Sequence, residues 1–216
     1  MRTYFSISHN DNRKTPYAST ILNNNGGYLE DCPLCGRTRF NEANKDLVLL
    51  IEGKGKLPDY LQCGHYPLTI VSDRVLQTWK DVSVSGYESF PIKIIDNENK
   101  KRNHEQYHNI IITGRAELDF EKMGVKIVSI CQECGEVEYN KQDWEFGKAI
   151  IKDNTYDGSD LFTFKYFCAA PLCTLKILEA VYNNKLTNFQ FMFLESFFIY
   201  LDTSPIDLKE LLRIGK

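Results

Sequence analysis

The clearest hydrophobic rhythm in the chain runs through Val71-Ser72-Asp73-Arg74-Val75-Leu76-Gln77-Thr78-Trp79-Lys80. Val75, Leu76 and Trp79 recur at the spacing that lines one face of an α-helix, and Ser72 stands where an N-cap is needed. The phrase returns 102 residues later, from Ser72 to Thr174. There Thr174 takes the capping place, Lys176 matches Arg74, and Ile177, Leu178 and Val181 repeat the apolar positions of Val75, Leu76 and Trp79. Val84-Ser85-Gly86-Tyr87 answers to Leu186-Thr187-Asn188-Phe189 at the same offset, a tight turn with Gly or Asn followed by a strand. The strands themselves, Pro91 to Ile95 and Phe189 to Leu194, are rich in β-branched or aromatic residues.

This repetition predicts an α+β fold of two similar small sheet-plus-helix halves, residues 1–109 and 110–216, packed as one compact unit. A short strand around Tyr4, Phe5 and Ile7 opens the first half. Ser204 as N-cap, Pro205 at the first helical position and Ile206, Leu208, Leu211 and Leu212 predict a short docking helix near the end. Between the halves, Asp96 to Asn109 is almost wholly polar, and its Lys100, Lys101, Arg102, His104 and His108 are nearly balanced by Asp96, Glu98 and Glu105. Mixed charge of this kind reads as a solvated loop rather than a phosphate-binding cluster.

Composition narrows the field modestly. The 216 residues are 43% hydrophobic and 25% charged, an ordinary globular balance, and the formal charge of -3 favours neither a nucleic-acid footprint nor a strongly acidic mimic. No apolar run suits a secretory leader or a membrane span; the densest, Phe189 to Leu201, is broken by Gln190, Glu195 and Ser196. The expected setting is the cytoplasm, where the seven cysteines stay reduced and paired cysteines more often hold metal than form disulfides.

That chemistry centres on Cys32-Pro33-Leu34-Cys35-Gly36 and Cys131-Gln132-Glu133-Cys134-Gly135. Two intervening residues let both sulfurs of a CxxC face one point, and the glycine suits the positive φ with which such a turn re-enters a strand. Both motifs have strand-like flanks: Gly27-Tyr28-Leu29 and Arg37 to Phe40 around the first, Val125 to Ile130 and Val137-Glu138-Tyr139 around the second. Each knuckle supplies two thiolates and zinc takes four ligands, so Cys32, Cys35, Cys131 and Cys134 are expected to hold one structural Zn²⁺ in a split, ribbon-like site. Strand surroundings speak against a redox role, which favours a helix N-terminus. About 95 residues separate the knuckles, so the metal would close a very large loop, and its loss should loosen the whole fold.

Other candidates are weaker. Cys63 and His65 form one thiol and one imidazole without fixed partners, and Cys168 and Cys173 flank Ala169-Ala170-Pro171 like packing residues. Asp153, Asp157, Gly158 and Asp160 loosely suggest a calcium loop, but Phe164 stands where the bidentate glutamate is needed, which excludes one. No catalytic residue and no organic cofactor is expected.

Tyr4 and Phe5, CPLCG at 32–36, Leu57-Pro58-Asp59-Tyr60, Tyr66 to Val75 and CQECG at 131–135 occur in an order that resembles the double-CXXCG motif family of bacterial proteins. Asp157 to Phe162 followed by the Thr174 helix is similar to that family's second half, although Cys173-Thr174-Leu175-Lys176 lacks the Ser-Asp/Glu-Arg signature kept at 72–74 and Gln132 replaces the proline of the first knuckle. The resemblance implies a cytoplasmic immunity protein of a polymorphic toxin system, a non-enzymatic binder of one cognate protein toxin, with no nucleic-acid or membrane partner. The alternative is a zinc-ribbon regulator that binds nucleic acid, and it lacks the basic stripe such proteins need.

Overall fold

The computed structural model describes residues 3–9, 15–21, 29–40, 47–63, 68–96, 106–139, 149–165 and 167–194. Several expectations lie outside them: the helix from Ser204, Gly27-Tyr28 before the first knuckle, His65, most of the polar loop after Asp96, and the side chain of Cys168. The strands are β1 (Tyr4–His9), β2 (Tyr17–Ile21), β3 (Leu29–Asp31), β4 (Thr38–Phe40), β5 (Val48–Glu52), β6 (Tyr60–Cys63), β7 (Thr69–Ser72), β8 (Tyr87–Asp96) and β9 (Tyr107–Ile112). They continue with β10 (Gly114–Ala116), β11 (Ile127–Ile130), β12 (Val137–Tyr139), β13 (Leu161–Phe164), β14 (Phe167–Thr174) and β15 (Phe189–Phe193). Among the described residues two helices interrupt them, α1 (Asp73–Asp81) after β7 and α2 (Leu175–Asn183) after β14. The fold is therefore mixed α+β and mostly strand.

Six strands close into a barrel in the order β2-β5-β8-β9-β7-β6. Two of its seams are parallel, β2 with β6 and β5 with β8, and the rest are antiparallel. Its interior is filled by inward residues such as Ala18, Leu49, Ile51, Leu61, Ile70 and Ile92. Tyr107 joins them and donates its hydroxyl to Pro58 O at 2.7 Å, so its one polar atom is satisfied inside an apolar core. Pro91 is tolerated in β8 because it faces His108 of β9 on one side, while pairing with β5 on the other begins only at Lys93.

The other five strands form an open sheet, β10-β13-β14-β1-β15, and the knuckles are separate two-stranded hairpins, β3-β4 and β11-β12. Two matching sheets divided after residue 109 are thus not what the strands build. One sheet is a closed barrel and the other is open, and β1, expected in the first half, pairs with β14 and β15. A division after residue 109 would fall inside β9. Strand periodicity states which face is buried, not which strand lies alongside, so this pairing was not readable from the pattern.

The helices carry out the repetition more faithfully. Val75, Leu76 and Trp79 of α1 and Ile177, Leu178 and Val181 of α2 are all buried, and they share one core with Phe5, Ile7, Tyr60, Val71 and Phe191. That core touches the barrel and the open sheet together. Ser72 and Thr174 occupy the N-cap positions in extended conformation, yet neither side chain caps its helix. Their hydroxyls donate instead to two aspartates, Ser72 to Asp59 Oδ1 at 3.0 Å and Thr174 to Asp160 Oδ1 at 3.1 Å.

Each aspartate then reaches across to the turn that follows the other helix. Asp59 Oδ2 accepts from Arg74 at 3.1 Å and from the amide and hydroxyl of Thr187 at 2.7 and 2.8 Å. Asp160 Oδ2 accepts from Lys176 at 2.9 Å and from the amide and hydroxyl of Ser85 at 3.0 and 3.1 Å. The Asp59 amide donates back to Thr187 Oγ1, and the Asp160 amide to Ser85 Oγ. The result is a reciprocal clasp between the barrel and the open sheet.

Candidate metal centre

Both knuckles are built by the same local backbone. In the first, the Gly36 amide donates to Cys32 O at 2.8 Å and the Cys32 amide to Arg37 O at 2.9 Å; in the second, Gly135 donates to Cys131 O and Cys131 to Glu136 O, both at 2.9 Å. Gly36 and Gly135 have φ of 67° and 71°, the left-handed region in which a Cβ would be strained. The turn aims amides at the first sulfur of each pair: those of Leu34 and Cys35 at Cys32, those of Glu133 and Cys134 at Cys131.

The hairpins bring all four sulfurs together. Cys32 Sγ lies 3.7 Å from Cys131 Sγ, and Cys35 Sγ lies 3.6 Å from Cys134 Sγ, pairs that are 99 positions apart in sequence. All four sulfurs lie within 4.8 Å of one another. These separations are too long for a disulfide, at about 2.05 Å. They suit a tetrahedron of thiolates around one ion, since a metal–sulfur bond of about 2.3 Å sets sulfur–sulfur edges at roughly 3.8 Å. Arg37 and Glu136, the residues after the two glycines, form an ion pair of 2.6 Å that ties the hairpins together beside the sulfurs.

The electrostatics of the cluster also fit a cation. The Cys35 amide, with that of Leu34, holds the Cys32 thiol below its ordinary value, and the Cys134 amide, with that of Glu133, lowers Cys131 to about 6. The second cysteines go the other way. The Glu136 amide favours the Cys134 thiolate, but removal from water and the bonds to Cys131, Cys32 and Cys35 outweigh it and push the thiol up to about 12. At Cys35 the Arg37 amide is likewise outweighed by removal from water and by the neighbouring thiols of Cys32 and Cys131. Without positive charge at the centre the four sulfurs cannot all ionise, and a divalent ion removes that conflict.

Compared with protein-family models and with curated proteins, the sequence matches none.

Among the described residues, the remaining sequence candidates do not join this cluster. Cys63 is half-buried at the end of β6 and packs against the barrel core. Cys173 is buried in the shared core, and desolvation holds its thiol well above the ordinary value, as expected of a packing residue. Asp157 accepts the amides of Arg115 and Ser159, and Asp153 pairs with Lys122, so these carboxylates stabilise turns. His108 lies 3.3 Å from Asp73 and away from the cysteines. The pattern missed Asp59 and Asp160, the hubs of the clasp, although Asp59-Tyr60 and Asp160-Leu161 repeat at an offset of 101.

Proposed function

We propose that this protein is a bacterial immunity protein, a cytoplasmic binder that neutralises one cognate protein toxin, with a single structural Zn²⁺ held by Cys32, Cys35, Cys131 and Cys134. The observation that carries the reading is the closed donor set. Four sulfurs within 4.8 Å fill a tetrahedron and leave no open position for water or substrate. An ion held this way organises the chain and polarises nothing, so the working part is a surface. An all-thiolate tetrahedral set also favours zinc over the harder divalent ions. The motif order at 32–36, 57–75 and 131–135 supports the immunity reading through its likeness to the double-CXXCG proteins.

Two measurements test the two parts. Elemental analysis of purified protein should give about one zinc per chain, the stoichiometry of a four-ligand site. Calorimetric titration against the toxin domain encoded beside this protein should give saturable binding, and co-expression should protect cells from that toxin. Absence of both binding and protection would refute the immunity reading, and metal-free protein with free thiols would refute the zinc.

We infer further that the chain holds two copies of one structural unit. The clasp supports this: Ser72, Arg74 and Ser85 correspond to Thr174, Lys176 and Thr187 at one offset of 102, and each bond in one copy has its counterpart in the other. The strand pairing supports it too, because β1 lies between β14 and β15 as β9 lies between β7 and β8. On this reading the first unit spans 17–112, and the second, from 114 onward, borrows its last strand from the N-terminus.

A further inference from the structure

We propose that the knuckle hairpins carry the surface that docks the partner, and that the partner meets it with an aliphatic element flanked by lysine or arginine; the proposal rests on the immunity reading above. Among the described residues, the two most exposed large hydrophobics are Leu34 at 66% and Val128 at 64%, one on each hairpin. Ile127 and Ile130 beside Val128 are also exposed, so every position of β11 faces water. Strand propensity accounts for valine and isoleucine in a strand, but Leu34 sits in the knuckle turn, where propensity asks for nothing apolar. Leu34 and Ile130 line one shallow groove of about 200 Å³ between the hairpins, together with Cys35, Cys131, Arg37, Glu136 and Glu138, and Val128 lies on the strand beside it.

Charge selects the occupant. Among the described residues, Glu136 and Glu138 line the groove and Glu133 is exposed beside it, against Arg37, which is already paired with Glu136. Four thiolates around one divalent ion add a net charge of about −2 to the same face. An apolar centre rimmed by excess negative charge complements a basic partner, and it repels nucleic acid and anionic membrane. The hairpins belong to neither larger sheet and are joined by the Arg37–Glu136 pair and the four cysteines, so an ion there would fix the docking groove.

The test uses full-length, zinc-loaded protein and the purified toxin domain encoded beside it. Leu34→Glu in the groove and Val128→Glu on the exposed strand beside it should each weaken binding by about tenfold or more, the loss expected of an apolar anchor. Glu138→Lys should weaken it too, and wild-type binding should decline as salt rises. Tyr182→Glu, on the exposed side of α2, should leave affinity unchanged. Zinc content and melting temperature equal to wild type show that each variant is folded, and Val128→Glu remains decisive if Leu34→Glu disturbs the adjacent Cys35. If folded hairpin variants bind as wild type does, or Glu138→Lys strengthens binding, the docking surface is wrong while the immunity reading stands. If wild type binds no toxin, both fall.

Discussion

Asp59 and Asp160 do similar work in unlike surroundings, and the difference sets what each is worth. Asp59 is 6% exposed and accepts from Ser72, Arg74 and Thr187, so replacing it removes a buried charge with four donors aimed at it. Asp59→Asn should cost about 2–4 kcal/mol in urea unfolding, because an amide cannot accept from all of them. Asp160 and its partner Lys176 are more open, with side-chain exposures of 15% and 41%, and Asp160→Asn should cost about 1–2 kcal/mol. Desolvation raises the Asp160 pKa, but Lys176, the Ser85 amide and hydroxyl and the Thr174 hydroxyl together hold it below the ordinary value. An unfolded aspartate takes up its proton near pH 3.9, whereas the folded one keeps its charge to lower pH. The contribution is therefore complete above the unfolded value and disappears as pH falls through the folded one. Wild type should lose more stability than Asp160→Asn between about pH 5 and pH 3, measured by unfolding at each pH; equal losses would remove Asp160 from the account.

At the scale of elements, what was legible in the sequence is what the local chain decides. The helices announce themselves because Val75, Leu76 and Trp79, or Ile177, Leu178 and Val181, fall on one face whatever they pack against. The knuckles are legible because a CxxCG turn is closed by its own backbone. The barrel was not, since its closure rests on two parallel seams between strands distant in sequence, Ala18 with Cys63 and Val48 with Lys93. Ser72 and Thr174 were placed correctly as N-caps but not matched with their partners, because Asp59 and Asp160 lie in loops with no period to follow. The turns after the helices join both kinds of information. Gly86 and Asn188 sit at matching positions with φ of 92° and 67°, and at Gly86 a Cβ would come 2.0 Å from Leu161 O. Gly86→Ala should therefore destabilise by about 3 kcal/mol or more, as strain and overlap add, while Asn188→Gly relieves the left-handed backbone but loses the bond its side-chain amide donates to Tyr60 O at 2.8 Å, and should cost only about 1 kcal/mol. Thermal melts of the two variants check the contrast. A well-tolerated Gly86→Ala would mean that the turn can move away from β13.

For the whole molecule, the question is how much of the link between the barrel and the open sheet an ion on the four cysteines would supply. An ion shared by the cysteines would close a loop across 99 positions, and such a closure would offset a few kcal/mol of chain entropy. Taken alone, that suggests the fold would come apart on chelation. Two other joints span the same boundary, however: the clasp of Asp59 and Asp160, and the core in which Trp79 and Val75 meet Ile177, Val181 and Phe5. Neither needs the ion. Strong chelation should therefore lower the melting temperature by roughly 10 °C, a few kcal/mol for a chain of this size, without splitting the transition in two. Hydrogen exchange should show where the loss falls: the amides of Cys32, Gly36, Cys131 and Gly135, bonded only within their knuckles, lose protection first, and Leu61 and Ile70 inside the barrel keep theirs. Cys131→Ser should reproduce this pattern without chelator, since three thiolates bind far more weakly than four. If removing the ion instead unfolds both sheets together, the shared core is too weak to hold them and the metal is the joint on which the rest depends.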